Sequence, residues 1–270
     1  MALTMGSALV SFAATGWAEE NGEWVYYNND GSKATDVFKK SGNNWFYLDS
    51  DGIMAKNQLI EDDDNYFYVN SAGAMVTNQW RSIENEDSGS DEPDEWWYYF
   101  QSNGKAVKKS GSSDNVKFVT LPTSTGQAKF TFDDEGHMLY GWIDESGEML
   151  TDDDAWKSGM YYCSDNGDGR MATGWKYIPA VNDEDDDREG DGYWFYFSTN
   201  GKKTVDNDSK KINGQYYGFD VNGKMLQGLY RIEFEANGKT IRSAEEIEDV
   251  DEIPDEDEDG VFVYYFGDSP

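Results

Sequence analysis

Apolar residues fall in short alternating runs, each closed by a polar turn and a glycine. Trp24-Val25-Tyr26-Tyr27 leads to Gly31, Trp45-Phe46-Tyr47-Leu48 to Gly52, and Tyr66-Phe67-Tyr68-Val69 to Gly73. Those three copies stand 21 residues apart. The phrase returns as Trp97-Tyr98-Tyr99-Phe100 before Gly104 and as Trp194-Phe195-Tyr196-Phe197 before Gly201. Alternation with period two in aromatic and β-branched residues predicts short strands. A fixed period in this range predicts repeated units that bury their apolar faces on one another.

Period two also assigns faces. Trp24 with Tyr26, Trp45 with Tyr47, Tyr66 with Tyr68, Trp97 with Tyr99 and Trp194 with Tyr196 each share one face of a strand. The turns Asn28-Asn29-Asp30-Gly31, Asp49-Ser50-Asp51-Gly52 and Asp220-Val221-Asn222-Gly223 supply Asn, Asp and Gly where positive φ is expected. A methionine follows two residues past the glycine at Met54, Met75, Met138, Met171 and Met225. Six or seven residues past it comes Leu59, Trp80, Trp142, Trp175 or Leu229. The expected unit is strand, tight turn, strand and connector, and the expected fold is an all-β solenoid of stacked short β-hairpins.

Three acidic stretches, 84–95, 182–192 and 245–260, interrupt the rhythm and are expected to be loops between hairpins. Residues 110–131 lack a Trp-Tyr cluster and are expected to form a degenerate unit, with a strand over Val116–Leu121 and a turn over Pro122–Gly126. The last phrase, Phe262-Val263-Tyr264-Tyr265, is expected to be an incomplete unit with an unpaired edge. Residues 1–15 are apolar like the remnant of a secretory signal, and residues 16–270 form the repeat domain. No other segment is long and apolar enough to span a membrane.

Composition changes this picture in one respect. A formal charge of −32 with few aliphatic residues would ordinarily indicate disorder. Yet 18 Tyr, 14 Phe and 10 Trp outnumber the 33 Leu, Ile and Val, so the apolar area lies in rings. Such acidity opposes binding to nucleic-acid backbones and suits a cationic partner. A single cysteine, Cys163, excludes an intrachain disulfide, and with the single His137 it excludes a Cys/His zinc cluster. His137 is expected at a turn exit.

Gly16-Trp17, Asn21-Gly22-Glu23-Trp24-Val25-Tyr26-Tyr27 and Gly169-Arg170-Met171-Ala172-Thr173-Gly174-Trp175 together resemble the cell-wall/choline-binding repeat family. Gly136-His137-Met138-Leu139-Tyr140-Gly141-Trp142 follows the same pattern with Tyr140 for Thr. The resemblance covers most of residues 16–240. It implies a secreted, non-catalytic module on a Gram-positive-type cell wall, attached to choline on teichoic acid through aromatic cages between repeats. It implies ligand contacts from Trp17, Trp24, Tyr26, Trp45, Tyr47, Tyr66, Tyr68, Trp80, Trp97, Tyr99, Trp142, Trp175, Trp194 and Tyr196, with no catalytic residue, metal or cofactor.

Related repeats bind α-glucans or other extracellular glycans, and a purely structural adhesin or spacer is a third reading. Departures such as Phe38, Leu59 and Leu229 in place of the connector indole bear on choline specificity. Asp165-Asn166-Gly167-Asp168-Gly169 has calcium-like ligand spacing but lacks the closing bidentate Glu.

Overall fold

A computed structural model of the 270-residue chain describes residues 15–86, 92–109, 115–179, 192–249, 251, 253, 261–267 and 269–270. The expected signal remnant lies outside the described residues, as do most of 182–192 and parts of the other two acidic stretches. The chain divides into two compact units: residues up to Ile83 with Tyr98–Val107, and Glu84–Trp97 with the chain from Lys108 onward.

The first unit is built on antiparallel hairpins. Strands β1 (Gly16–Glu20) and β2 (Glu23–Tyr27) pair, then β3 (Val37–Ser41) with β4 (Asn44–Leu48), then β5 (Gln58–Asp62) with β6 (Asn65–Val69). Strand β7 (Gln79–Glu84) pairs with β8 (Glu95–Phe100).

The second unit continues the plan. It comprises β9 (Val119–Thr123) with β10 (Gly126–Phe130), and β11 (Gly141–Ile143) flanked by β12 (Met149–Leu150) and β13 (Tyr161–Cys163), with a four-residue helix α1 (Ala155–Ser158). Then come β14 (Gly174–Pro179) with β15 (Gly192–Phe197), and β16 (Asn207–Ile212) with β17 (Gln215–Phe219). Finally β18 (Gly228–Phe234) lies between β19 (Ile241–Glu246) and β20 (Val261–Phe266).

The aromatic strands are those expected, but their hairpin partners are not. The aromatic phrase pairs with the segment before it, the expected connector. The segment after the glycine contributes only one bridge to its own phrase, as at Leu48↔Met54, Val69↔Met75 and Phe219↔Met225. Two-residue turns with positive φ at both positions close several hairpins: Asn21-Gly22, Asp63-Asp64 and Asn213-Gly214. In the turns after the aromatic phrase, only the glycine has positive φ. The Asx residues act there as acceptors instead: Asp49 Oδ1 takes the amides of Asp51 and Ile53, and Asp220 Oδ1 those of Asn222 and Lys224.

This pairing relocates the insertions. Residues 85–94 and 180–191 fall between the two strands of one hairpin, β7/β8 and β14/β15, rather than between hairpins. The β11–β13 hairpin carries β12 and α1 at the same place, and the β18–β20 hairpin carries β19. The phrase at 262–265 is therefore a paired strand, opposite β18, and not a free half-unit. In the degenerate region the strand starts at Val119 and includes Pro122, which faces Gln127.

Stacking is fixed by two backbone bonds per unit. Ala55 N–H donates to Tyr47 O of its own hairpin at 2.9 Å, while Met54 N–H donates to Trp24 O of the preceding hairpin at 2.8 Å. The second bond recurs as Met75 to Trp45, Ala106 to Tyr66, Met138 to Trp97, Met171 to Lys129, Lys203 to Met160 and Met225 to Trp194, each at 2.7–2.9 Å. The methionine side chain then seats on the next turn glycine. A Cβ on Gly169 would stand 2.3 Å from Met138 Sδ, so a side chain there requires the rung to shift. The last residue of most phrases lies inside: Leu48, Val69, Phe100, Phe197 and Phe219 are fully buried. Cys163 holds the same position, and burial pushes its thiol up to about 12, which leaves it an inert core residue.

Candidate functional site

Each notch lies where the face carrying a hairpin's indole meets the opposite face of the next hairpin. Its first wall depends on register. Trp17 faces Tyr26, Phe38 faces Tyr47, Leu59 faces Tyr68, Trp142 faces Tyr162 and Trp175 faces Tyr196. The spacing from the turn glycine is six residues in some units and seven in others. Both place the wall alike, because the six-residue form enters the strand through a left-handed glycine such as Gly174 (φ 72°). The seven-residue form uses a left-handed Asn or Asp, such as Asn57 (φ 48°).

The notch between β1–β2 and β3–β4 is open. Trp17, Trp24, Phe46 and Met54 line it with Ser41 and Ala72, enclosing a cavity of about 350 Å³. Trp17 meets Tyr26 and Phe46 edge-on, both with ring centroids 5.4 Å apart. Trp24 is 42% exposed, so this wall is reachable from solvent. Tyr26 does not line the cavity, and the Lys39 ammonium lies 4.9 Å from its ring centre. Among the described residues that line the cavity, none carries a charge.

The second unit brings equivalent rings together between β14–β15 and β16–β17. Trp175 lies 5.1 Å from Tyr196, 4.7 Å from Tyr217 and 6.5 Å from Trp194, with Met225 packed in the same cluster. Lys210 repeats Lys39, with its nitrogen 5.3 Å from the Tyr196 ring centre and donating to Thr204 Oγ1 at 2.8 Å. Burial lowers the Lys210 pKa.

The other expected residues are distributed less favourably. Phe38 touches Tyr47 and Phe67 at 5.0 Å each, a notch with phenyl in place of indole, while Trp45 is exposed with the Lys40 nitrogen 5.9 Å from its ring centre. Tyr66 and Tyr68 share a hairpin whose first wall is Leu59, and Tyr68 lies 6.2 Å from Phe100. Trp80 and Tyr99 meet edge-on at 5.2 Å, with Tyr99 buried. Trp97 belongs to the second unit. Trp142 is buried against Tyr162, Phe195 and Phe197.

Sequence reasoning assigned one face of each strand and missed the opposing one: Phe46, Phe67, Phe195 and Tyr217 come from the intervening positions. His137 sits at a turn exit as expected, bonded to Asp133 Oδ2 at 2.8 Å and stacked on Trp96 at 4.4 Å. Among the described residues no group of three or more His, Cys, Asp or Glu is placed to hold a metal ion. Asp168 pairs instead with Arg170 at 2.9 Å. No described helix is long and apolar enough to cross a membrane.

Residues 14–51 and 38–80 match the family described as "Choline-binding repeat", and residues 97–106 match "Putative cell wall binding repeat". The choline-binding domain of CbpL from Streptococcus pneumoniae is 23% identical, covering 80% of this chain and 88% of that one, with a TM-score of 0.49. Choline binding protein F from the same organism is 22% identical over 79% of this chain and 58% of that one, with a TM-score of 0.48. The modular autolysin LytC from Streptococcus pneumoniae, solved with a synthetic peptidoglycan ligand, is 18% identical over 86% of this chain, with a TM-score of 0.50. This chain spans 48% of LytC's length. No curated protein matches the sequence significantly. Residues 14–80 and 97–106 are thus similar to choline-binding and cell-wall-binding repeats, and the fold is the all-β hairpin-repeat architecture that the sequence led one to expect.

Proposed function

We propose, on the premise that this chain carries choline-binding repeats, that it is a non-catalytic module holding a secreted protein to choline-bearing polymer, such as teichoic acid, on a Gram-positive-type cell wall. The observation that carries this reading is the open notch of Trp17, Trp24, Phe46 and Met54. A quaternary ammonium has no N–H to donate, so ring faces and a thioether suit it better than hydrogen-bond acceptors do. Each desolvated ring face contributes roughly 0.5–2 kcal/mol. One notch is therefore weak, and repetition along a polymer raises the overall affinity by avidity. The charge of −32 favours the encounter with a cation.

The test is retention on a choline or tertiary-amine matrix with elution by free choline. Passage through the matrix combined with co-sedimentation on α-glucan would move the assignment to carbohydrate binding. Solvent-facing rings such as Trp45 and Tyr216 are the observation that favours that second reading.

A further inference from the structure

The notch between the β11–β13 and β14–β15 hairpins has the outline of the open one, and it is full. Trp142 stands in the register of Trp17, Tyr162 in that of Tyr26, and Phe195 in that of Phe46. Trp142 lies 5.1 Å from each of Tyr162 and Phe195. Lys203 holds the place that Met54 and Met225 hold elsewhere, and its amide donates to Met160 O at 2.7 Å as theirs do to Trp24 and Trp194. Only 3% of Lys203 is exposed. Its Nζ lies 5.0 Å from the Trp142 ring centre and 5.6 Å from that of Phe195. It donates to Trp156 O at 2.6 Å and to Lys157 O at 3.4 Å.

Both carbonyls come from α1, the helix inserted within this hairpin, which also packs Trp156 5.1 Å from Tyr193. The stem does the ordinary work of the methionine: a Cβ on Gly223 would stand 3.0 Å from Lys203 Cδ. Burial is not dictated by lysine itself. Lys33, also two residues past a turn glycine, turns outward to Glu20 at 2.7 Å.

We propose that this notch is a further cation site, filled from within: the Lys203 ammonium is its resident ligand, held by the Trp142 and Phe195 faces and two α1 carbonyls. The proposal rests on reading the open Trp17 notch as an ammonium site and adds a difference in ligand class. Carbonyl oxygens need N–H donors, so this site takes a primary ammonium, whereas the open notch takes a quaternary one. The filled notch contributes no capacity for soluble choline.

The test is chemical rescue. Lys203→Ala leaves a vacancy the size of a short alkylammonium, and thermal melts are recorded with n-propylammonium chloride, n-propanol and choline chloride, beside wild type. The expected result is a saturable rise in Tm of Lys203→Ala with n-propylammonium that neither n-propanol nor wild type reproduces. An equal rise with n-propanol, or no rise beyond wild type, overturns the proposal. Should Lys203→Ala fail to fold, reductive methylation of native wild type, read by mass spectrometry, decides. Lys203 is expected to stay unmodified while Lys33 reacts, and equal modification overturns the proposal. Rescue by n-propylammonium with no choline binding to wild type would instead sink the reading of the open notch and spare this one.

Discussion

The Trp17 notch and the Trp142 notch start from the same register and finish with opposite contents. In the first, Trp24 stands two residues before the paired tyrosine, Met54 closes the far side, and a cavity of about 350 Å³ remains. In the second, Met160 stands where Trp24 would, α1 folds over the opening, and Lys203 replaces the methionine. The backbone bond that locks adjoining hairpins is the same in both, at 2.8 and 2.7 Å. Stacking and ligand reception are thus separable properties of this repeat. The hydrogen-bond ladder holds whichever side chains face the notch, and a few positions decide whether it stays open.

That separation is testable first through stability. Trp142→Ala empties a buried, ring-packed position and is expected to cost roughly 3–5 kcal/mol in denaturant unfolding. Trp24→Ala, at a half-exposed wall, is expected to cost under about 1 kcal/mol. Equal losses would mean that both notches are core.

A smaller effect separates them by pH. Burial lowers the Lys203 pKa from the ordinary lysine value of 10.5 to about 8, with the Asp220 carboxylate acting in the opposite direction. Between those values the unfolded chain holds a proton that the folded chain has released, so this group's contribution to stability rises with pH there. Below pH 8 the full cost of burying the charge is present. From pH 8 to 9.5 the gain is on the order of 1–2 kcal/mol. Cys163, pushed up to about 12, acts the other way, but equally in wild type and Lys203→Met. The difference between those two proteins in denaturant midpoints at the two pH values is therefore the readout, and parallel curves would contradict the assignment. The smallest expected effect is at the exposed counterpart: Lys33→Met, which removes a surface pair with Glu20, should leave the denaturant midpoint essentially unchanged.

Much of this was legible in the sequence. The aromatic phrase and its glycine placed the strands and turns, because alternation and positive φ leave few other solutions. The resemblance implied Trp17, Trp24, Trp175 and Trp194 as cage residues, and these four gather at two notches. The strand partner was not legible from alternation, since the segments on both sides of each phrase are short and carry apolar residues. The signal that decides it was present in Asn21-Gly22 and Asn213-Gly214, two-residue hairpin turns placed before the phrase rather than after it. The opposing walls Phe46, Phe195 and Tyr217 were hidden for another reason. A strand's second face acquires a role only when the next hairpin stacks on it. Lys203 and α1 were out of reach because a lysine in a methionine position does not announce where its nitrogen will go.

The most direct measurement is isothermal titration of choline into wild type, Trp24→Ala and Trp142→Ala. Saturable binding to wild type is predicted, weakened about 2- to 30-fold at the Trp17 notch by Trp24→Ala, as the loss of one ring face implies. In Trp142→Ala, where that variant folds, the predicted affinity at the Trp17 notch is unchanged. No heat from wild type, or equal weakening by both substitutions in folded protein, would contradict the account.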